Sequence, residues 1–449
     1  MPSFKMLKYT EFCILEDQFK EHLSTNCENS YLREINTLAY RTLEIVRYMD
    51  RDAYETEYAR RIQGYGTLIT DFEIHPFDRH EGFRVTTTKN RLFVVAIDEI
   101  QMLQETIYLN AARLYKLSRS LPHAAHSFFI RNTIIDEILS TNGIEGVSIS
   151  RKEAAEAVDS QDKQKRRFGG MARCYQNLFR DTSVPLASVE EIREIYDELL
   201  EGEIAANNKP NGKLFREQDV KGIRNGRIIH RGSHGERIIS MELAALIRFL
   251  NQDPLPLLIK IMVAHYYFEY IHPFYDGNGR TGRYIVARYL ASILDPFTSS
   301  GFSHMLLDRK KEYYAAFDSV SKEANRGEAT IFVKTLLDLV AEGQNNLIDR
   351  LTLSRALLDR AHTILESLKD IDELQLAILS LLSQNAFFQG EMTDAEIAKQ
   401  VLKSRQTVSA RLADLVAKGY VVVERKYPKA HRLSDALMAE ITSSGEDKA

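Results

Sequence analysis

Three glycines within six residues, Gly277, Gly279 and Gly282, separate two apolar helical runs. Upstream, LLIKIMVAHYYFEYI reads as a helix over 257–271. It must end at His272, because a residue before a proline is pushed out of the α region. Downstream, YIVARYLASIL starts a helix again at once. Such a chain turns two helices about a glycine-rich loop that feeds a helix N-terminus. The free amides and the positive dipole end there form an anion site.

The side chains around that loop suit phosphate chemistry. Arg280 and Arg283 are three apart and share a helix face. Two guanidinium forks beside an amide nest fit a polyphosphate. Asp276 offers the hard oxygen that Mg²⁺ takes together with substrate phosphates. His272, at the rim, is a base whose ordinary pKa is near neutrality. Base, metal carboxylate, nest and arginines are the parts of nucleotidyl or phosphoryl transfer.

The stretch from His272 to Arg283 also resembles the Fic (filamentation induced by cAMP) family motif HxFx(D/E)GNGRxxR. It matches at His272, Phe274, Asp276, Gly277, Asn278, Gly279, Arg280 and Arg283. The family mostly transfers AMP from ATP to a hydroxyl of a target protein, and the intact GNGR favours that reaction over phosphotransfer. The resemblance implies that His272 is the base toward a Ser, Thr or Tyr hydroxyl and that Asp276 is the Mg²⁺ ligand. Gly277, Asn278 and Gly279 would form the anion hole, with Asn278 on the α-phosphate side. Arg280 and Arg283 would clamp phosphates, Arg283 toward the γ-phosphate, with Thr281 and Gly282 between them.

The resemblance extends over about residues 120–345. Asn225-Gly226 between Ile223 and Ile228 signals a type I′ hairpin. With Arg224 and Arg227 this hairpin falls where the family carries its flap, which clamps an extended target segment by strand addition. Glu312-Tyr313-Tyr314 is similar to a tyrosine pair whose second member, Tyr314, would lie against the nucleotide. Thr141-Asn142-Gly143-Ile144-Glu145-Gly146 fits the family's inhibitory motif (S/T)xxxE(G/N) at a helix end. There Glu145 would pair with Arg283 and hold the enzyme silent.

The expected fold is mainly α: a helical catalytic core with one β-hairpin flap and a small C-terminal winged helix-turn-helix domain. Residues 1–95 mix charge and aromatics and read as helices with a few short strands and no chemistry. A helical region spans 96–187, with 91–119 read as one helix and an inhibitory helix over about 127–146. The catalytic core takes 188–345 and a linker helix 346–369. The winged helix takes 370–436, with helices at 373–384, 393–401 and 404–418 and strands at 420–425 and 430–433. Residues 437–449 read as a tail.

The net charge of −4 excludes a general polyanion binder. Residues 391–435 nevertheless carry nine Lys/Arg against six Asp/Glu. That balance permits phosphate contact, with Gln406, Thr407 and Arg411 on the recognition helix and Arg425 and Lys426 on the wing. Winged helices also serve protein interaction and dimerisation, so the candidate partners are ATP, a target protein, duplex DNA and a second copy of this chain. The competing function is a DNA-binding winged-helix transcriptional regulator in which the Fic-like core has a secondary or sensing role. Cys13, Cys27 and Cys174 are too few and too scattered for a disulfide framework. With no apolar leader and no spanning segment, the expectation is a cytoplasmic protein with no membrane partner.

Three other histidine groupings have less to support them. His75-Pro76-Phe77 repeats part of the motif without glycines or arginines, and His75 with His80 lacks a third ligand. His265 with His272 and Asp276 would make a metal hydrolase, a reading that leaves Gly277–Arg283 without a role. His265 reads instead as a core histidine.

Overall fold

A computed structural model describes residues 40–160, 166–180, 185–224, 227–390 and 392–443. The chain divides into two compact units, Met1–Tyr58 and Ala59–Ala449. In the first, helix α1 (Leu43–Met49) is capped by Thr42, whose hydroxyl accepts the Ile45 amide at 3.3 Å. Helix α2 (Ala53–Ile62) begins in the same unit.

The second unit continues with strands β1 (Thr67–Ile74), β2 (Phe77–Asp78), β3 (Phe83–Arg84) and β4 (Asn90–Val95). β1 pairs antiparallel with β4, and β2 with β3. Residues 91–95, read from sequence as the start of a helix, are therefore strand. Leu92, Phe93 and Val94 are buried in succession, a run whose periodicity does not separate helix from strand. Aromatic and β-branched residues then favour the strand. The helix itself, α3 (Asp98–Arg119), starts after it.

Helices α4 (His123–Glu145), α5 (Arg151–Asp159), α6 (Gly169–Leu178) and α7 (Val189–Leu199) follow. Strands β5 (Lys221–Arg224) and β6 (Arg227–Arg231) form the expected hairpin, with Ile223 opposite Ile228 and Arg224 opposite Arg227. Its turn residues, Asn225 and Gly226, lie outside the described residues. Next come α8 (Glu236–Gln252), α9 (Leu257–Ile271), α10 (Asn278–Ile293), α11 (Pro296–Ser300), α12 (Phe302–Leu307) and α13 (Lys310–Ser321). Helix α14 (Thr330–Ser367) runs unbroken through residue 346, where a separate linker helix was expected.

The C-terminal elements are α15 (Glu373–Phe387), α16 (Asp394–Gln400), α17 (Arg405–Ala417), β7 (Val421–Arg425), β8 (Ala430–Leu433) and α18 (Asp435–Thr442). α18 occupies part of the stretch read as a tail. Capping fixes the helix starts. Asp372 and Thr393 form reciprocal capping boxes with Gln375 and Glu396, and Ser404 accepts the Thr407 amide at 3.1 Å.

α9 is buried almost all round, which explains its apolar sequence. Its lysine, Lys260, donates to the carbonyls of Leu250 and Asp253 at 2.9 and 2.6 Å. No described helix is long and apolar enough to cross a membrane. A second apolar cluster joins Phe129 of α4 to Leu351 and Leu358 of α14 and to Ile378, Phe387 and Phe388 at the winged helix. Asn132 of α4 donates to the Phe388 carbonyl at 2.6 Å. The N-terminal half of α4 is thus embedded beside the winged helix, while its last residue is Glu145.

Candidate functional site

His272 ends α9 in the left-handed conformation, φ 54° and ψ 63°. A non-glycine residue holds that geometry only when its surroundings over-determine it. Its amide donates to the Phe268 carbonyl at 3.0 Å, and its carbonyl accepts the Arg216 Nε–H at 2.8 Å. Nδ1 lies 3.3 Å from the Glu269 carbonyl oxygen and 3.8 Å from Glu269 Oε2. With Nδ1–H donating to that carbonyl, Nε2 carries the lone pair. Burial, and then the Arg216 charge, pull the imidazole down to about 4. The ring is neutral at pH 7 and able to take a proton.

Gly277 begins α10 with φ 85°, and a Cβ there would come within 2.2 Å of Leu200 Cδ1. The amides of residues 278–280 have no partner within the helix and form its anion-binding end. The Asn278 side chain does not face that end. Its amide oxygen accepts the Phe274 N–H at 2.8 Å and its nitrogen donates to the Phe274 carbonyl at 2.8 Å. The Asn278 side chain thus staples the loop, and its main-chain amide is the group it offers to the expected anion hole. Thr281 Oγ1 likewise donates to the Gly277 carbonyl, at 3.0 Å, and Gly282 is buried one turn into α10.

Arg283 is 1% exposed and is bound on three sides by the end of α4. Its Nη2 lies 2.8 Å from Glu145 Oε1. Its Nε–H donates to Thr141 Oγ1 and its Nη2–H to the Thr141 carbonyl, each at 3.0 Å. Glu145 fits because residue 279 is glycine; a Cβ at 279 would stand 2.1 Å from Glu145 Oε1. Burial works to raise the Glu145 carboxyl, but the Arg283 charge overrides it and holds the group below its usual range. Gly146 closes α4 in the left-handed region. Tyr314 donates its hydroxyl to the Ile144 carbonyl at 3.2 Å, so it touches this helix end.

Arg280 is already engaged as well. Its Nη1 is 3.0 Å from Glu203 Oε2, with both side chains buried, and its Nη2 is 3.4 Å from Asp276 Oδ1. Burial raises the Glu203 carboxyl to about 7. Glu203 was not visible in the sequence: it lies 77 residues from Arg280 in a segment without a motif. Glu269, one turn before His272, was missed because nothing in an apolar helical run marks its carboxyl as facing the histidine ring. The Asp276 side chain is 45% exposed and keeps an open oxygen.

The β5–β6 hairpin stands beside this loop. His230 of β6 lies 5.5 Å from the His272 ring, centroid to centroid, and its Nε2–H donates to the Tyr270 carbonyl at 3.0 Å. Residues expected to carry no chemistry brace the hairpin from behind. Arg231 Nε–H donates to the Gly82 carbonyl at 2.6 Å, and the Arg84 guanidinium covers the Tyr270 ring at 3.7 Å. His75 is structural, its Nδ1 bonded to the Thr88 carbonyl at 2.8 Å. His265 is buried and pairs with the Tyr313 hydroxyl at 2.8 Å. Among the described residues no group of three His, Cys, Asp or Glu could hold a metal ion alone, so the triad of His265, His272 and Asp276 is not formed.

Residues 186–290 match the model of the Fic/DOC family. The chain carries a Fic/DOC domain. The matched residues include the β5–β6 hairpin, His272, the glycine loop and both arginines. Residues 371–422 match a winged helix-turn-helix DNA-binding family. Among solved structures the chain is similar to a Fic family protein from Desulfovibrio desulfuricans G20, at 18% identity and a TM-score of 0.46, over 76% of this chain and 97% of that one. It is also similar to a fragment of Fic-1 from C. elegans, at 17% identity and a TM-score of 0.41, over 57% and 74% of the two chains. A Fic domain containing signaling protein from Bacteroides thetaiotaomicron matches at 14% identity and a TM-score of 0.37, over 63% and 99%.

Proposed function

We propose that this Fic/DOC-domain chain is a protein adenylyltransferase that rests in a self-inhibited state. It moves AMP from ATP to a Ser, Thr or Tyr hydroxyl of a target protein or of the chain itself. The observation that carries this reading is the place of Arg283. It stands at the anion-binding end of α10 with the Glu145 carboxylate on it at 2.8 Å, where an ATP phosphate would otherwise sit.

In the step itself, His272 Nε2 takes the proton of the target hydroxyl. The oxygen bonds to the α-phosphorus, and the bond from that phosphorus to the bridging oxygen breaks. Pyrophosphate leaves with the electron pair. The amides of residues 278–280 and the Arg283 charge stabilise the negative charge that develops. Mg²⁺ fits the donors present: one half-exposed carboxylate, Asp276, to be completed by phosphate oxygens. When bound, it would neutralise phosphate charge. The flap receives an extended target segment as an added strand.

The test uses the Glu145→Gly variant with labelled ATP and a cell lysate. The reading predicts labelled protein bands that vanish when His272→Ala is added. No transfer to any protein, with the nucleotide bound, contradicts it.

A second reading, a DNA-binding regulator with a sensing core, draws on the winged-helix match over 371–422. Arg405 and Gln406 of α17 and Lys426 of the wing are exposed, as duplex contact requires. Arg411 is less available, since its Nε lies 2.7 Å from Asp372.

A further inference from the structure

Arg216, in the segment leading into the flap, is fully buried and lies outside every motif. Among the described residues its guanidinium bonds only to main-chain carbonyls. Nε–H donates to His272 at 2.8 Å, Nη1–H to Gln218 at 2.7 Å, and Nη2–H to Ser233 at 2.7 Å and Ile271 at 3.2 Å. These carbonyls belong to three segments: the chain entering the flap, the chain leaving it, and the end of α9. The main chain adds a bond from the Ser233 amide to the Ile271 carbonyl at 2.9 Å.

A charged group is buried at high cost unless its donors are met. Burial lowers Arg216 only to about 10, so it stays charged at pH 7. The planar fork is the one side chain that serves three directions at once; a lysine presents a point charge. Gly232 is shaped to it. A Cβ at 232 would stand 2.1 Å from Arg216 Nη2 and 3.0 Å from the Ile271 carbonyl oxygen. The guanidinium is therefore set from both ends of the flap.

We infer that Arg216, seated by Gly232, is a positioning residue that fixes the His272 backbone relative to the flap. The inference rests on the adenylyl-transfer reading for the step it positions. The flap presents the target hydroxyl and His272 takes its proton, so one side chain sets the distance between the two reacting partners. Its bonds go to main-chain carbonyls, that of His272 among them, and to no reacting atom. His272 needs such a hold, because its φ of 54° persists only under constraint. A shift of about 1 Å in such a pair costs on the order of 10²-fold in rate. The nucleotide end is separate, since none of the Arg216 bonds reaches α10 or Arg283.

The experiment compares Arg216→Lys, Gly232→Ala and the double variant, each in the Glu145→Gly chain. Three quantities are measured: kcat, affinity for a non-hydrolysable ATP analogue, and hydrogen exchange at the Ser233 amide. The inference predicts kcat down about 100-fold in each single variant, with analogue affinity within about two-fold. The double variant should be no slower than the slower single one, because both changes disturb the same guanidinium. Ser233 should lose protection. Unchanged kcat, or equal losses of rate and nucleotide affinity with additive effects, would overturn the inference, as would full protection at Ser233. Exchange is read whether or not adenylyl transfer is the reaction. A Glu145→Gly chain that transfers nothing, but whose Ser233 opens in Arg216→Lys, would therefore remove the functional reading and keep the link between flap and base. Gly232→Ala keeps the question open to test should Arg216→Lys fail to fold.

Discussion

Glu145 Oε1 lies 2.8 Å from Arg283 Nη2, in space left open because residue 279 has no side chain. Thr141 takes two more hydrogen bonds from the same guanidinium. The end of α4 therefore satisfies Arg283 as a ligand would. The bond is charge-assisted, with Arg283 buried and the Glu145 side chain 32% exposed. The other end of α4 packs beside the winged helix, where Asn132 meets the Phe388 carbonyl.

Removing the base should separate chemistry from binding. His272→Ala in the Glu145→Gly chain is expected to lower transfer by about 10²–10⁴-fold, the usual cost of losing a general base. ATP-analogue affinity should stay near that of the parent, because the amides of α10 and Arg283 remain. Asp276→Ala should abolish the Mg²⁺ dependence together with activity. Parallel kinetics and calorimetry check both.

The pH dependence follows from direction and cause. A general base works unprotonated, and burial and Arg216 place His272 at about 4 instead of its ordinary value. Glu145 props the imidazole up slightly, so its removal moves the group lower still. The Glu145→Gly rate should stay level from pH 8 down to about 5, where a histidine at its ordinary value of about 6.5 would already have lost most of its activity. A pH–rate profile with its midpoint near 6.5 would contradict the buried-base geometry. The same depression makes the unfolded chain the better proton binder below about 6.5, so this group's share of stability declines as pH falls from there to about 4.

Glu203 and Arg280 form a buried pair, and the two possible truncations differ. Glu203→Ala leaves the Arg280 charge, 4% exposed, without its main partner. Loss of one side of such a pair typically costs about 3–5 kcal/mol. Glu203→Gln keeps a hydrogen-bond acceptor and should cost much less, since burial already raises the carboxyl to about 7. Urea unfolding of the two variants measures the difference; equal losses would show that charge, not an acceptor, is what Arg280 needs.

How far these features were legible depended on whether a residue's role is local. The end of α9 at His272 followed from Pro273 alone. The third winged-helix segment, read as 404–418, does start there, where Ser404 caps α17. The pairing of Glu145 with Arg283 came from a motif resemblance, and the two residues lie side by side. That the Asn278 side chain bonds to Phe274 is a contact that spacing does not reveal. Arg216, Glu203 and Glu269 carried no signal at all. The first two reach the site from loops more than fifty residues upstream, and only packing brings them there. The strand at 90–95 was lost because three apolar residues in a row fit either period.

The winged helix should show the salt law of phosphate contact if it binds duplex DNA. The logarithm of affinity should fall linearly with the logarithm of salt, and Arg405→Ala or Lys426→Ala should each reduce the slope by about 1. A chain that shifts no duplex at low salt, yet self-associates in sedimentation, would make this domain an interaction module.

The most direct measurement of the central claim is auto- and target modification by four chains side by side: wild type, Glu145→Gly, Arg283→Ala, and Glu145→Gly with His272→Ala. With Arg283 held by Glu145, the wild type should be nearly silent, since misaligned phosphates cost on the order of 10²-fold or more in rate. Glu145→Gly should modify protein strongly. Arg283→Ala should stay low, because it removes the phosphate partner along with the lock, and the double variant should be inactive. Equal labelling by wild type and Glu145→Gly would contradict the account and leave Thr141–Gly146 as an ordinary helix end.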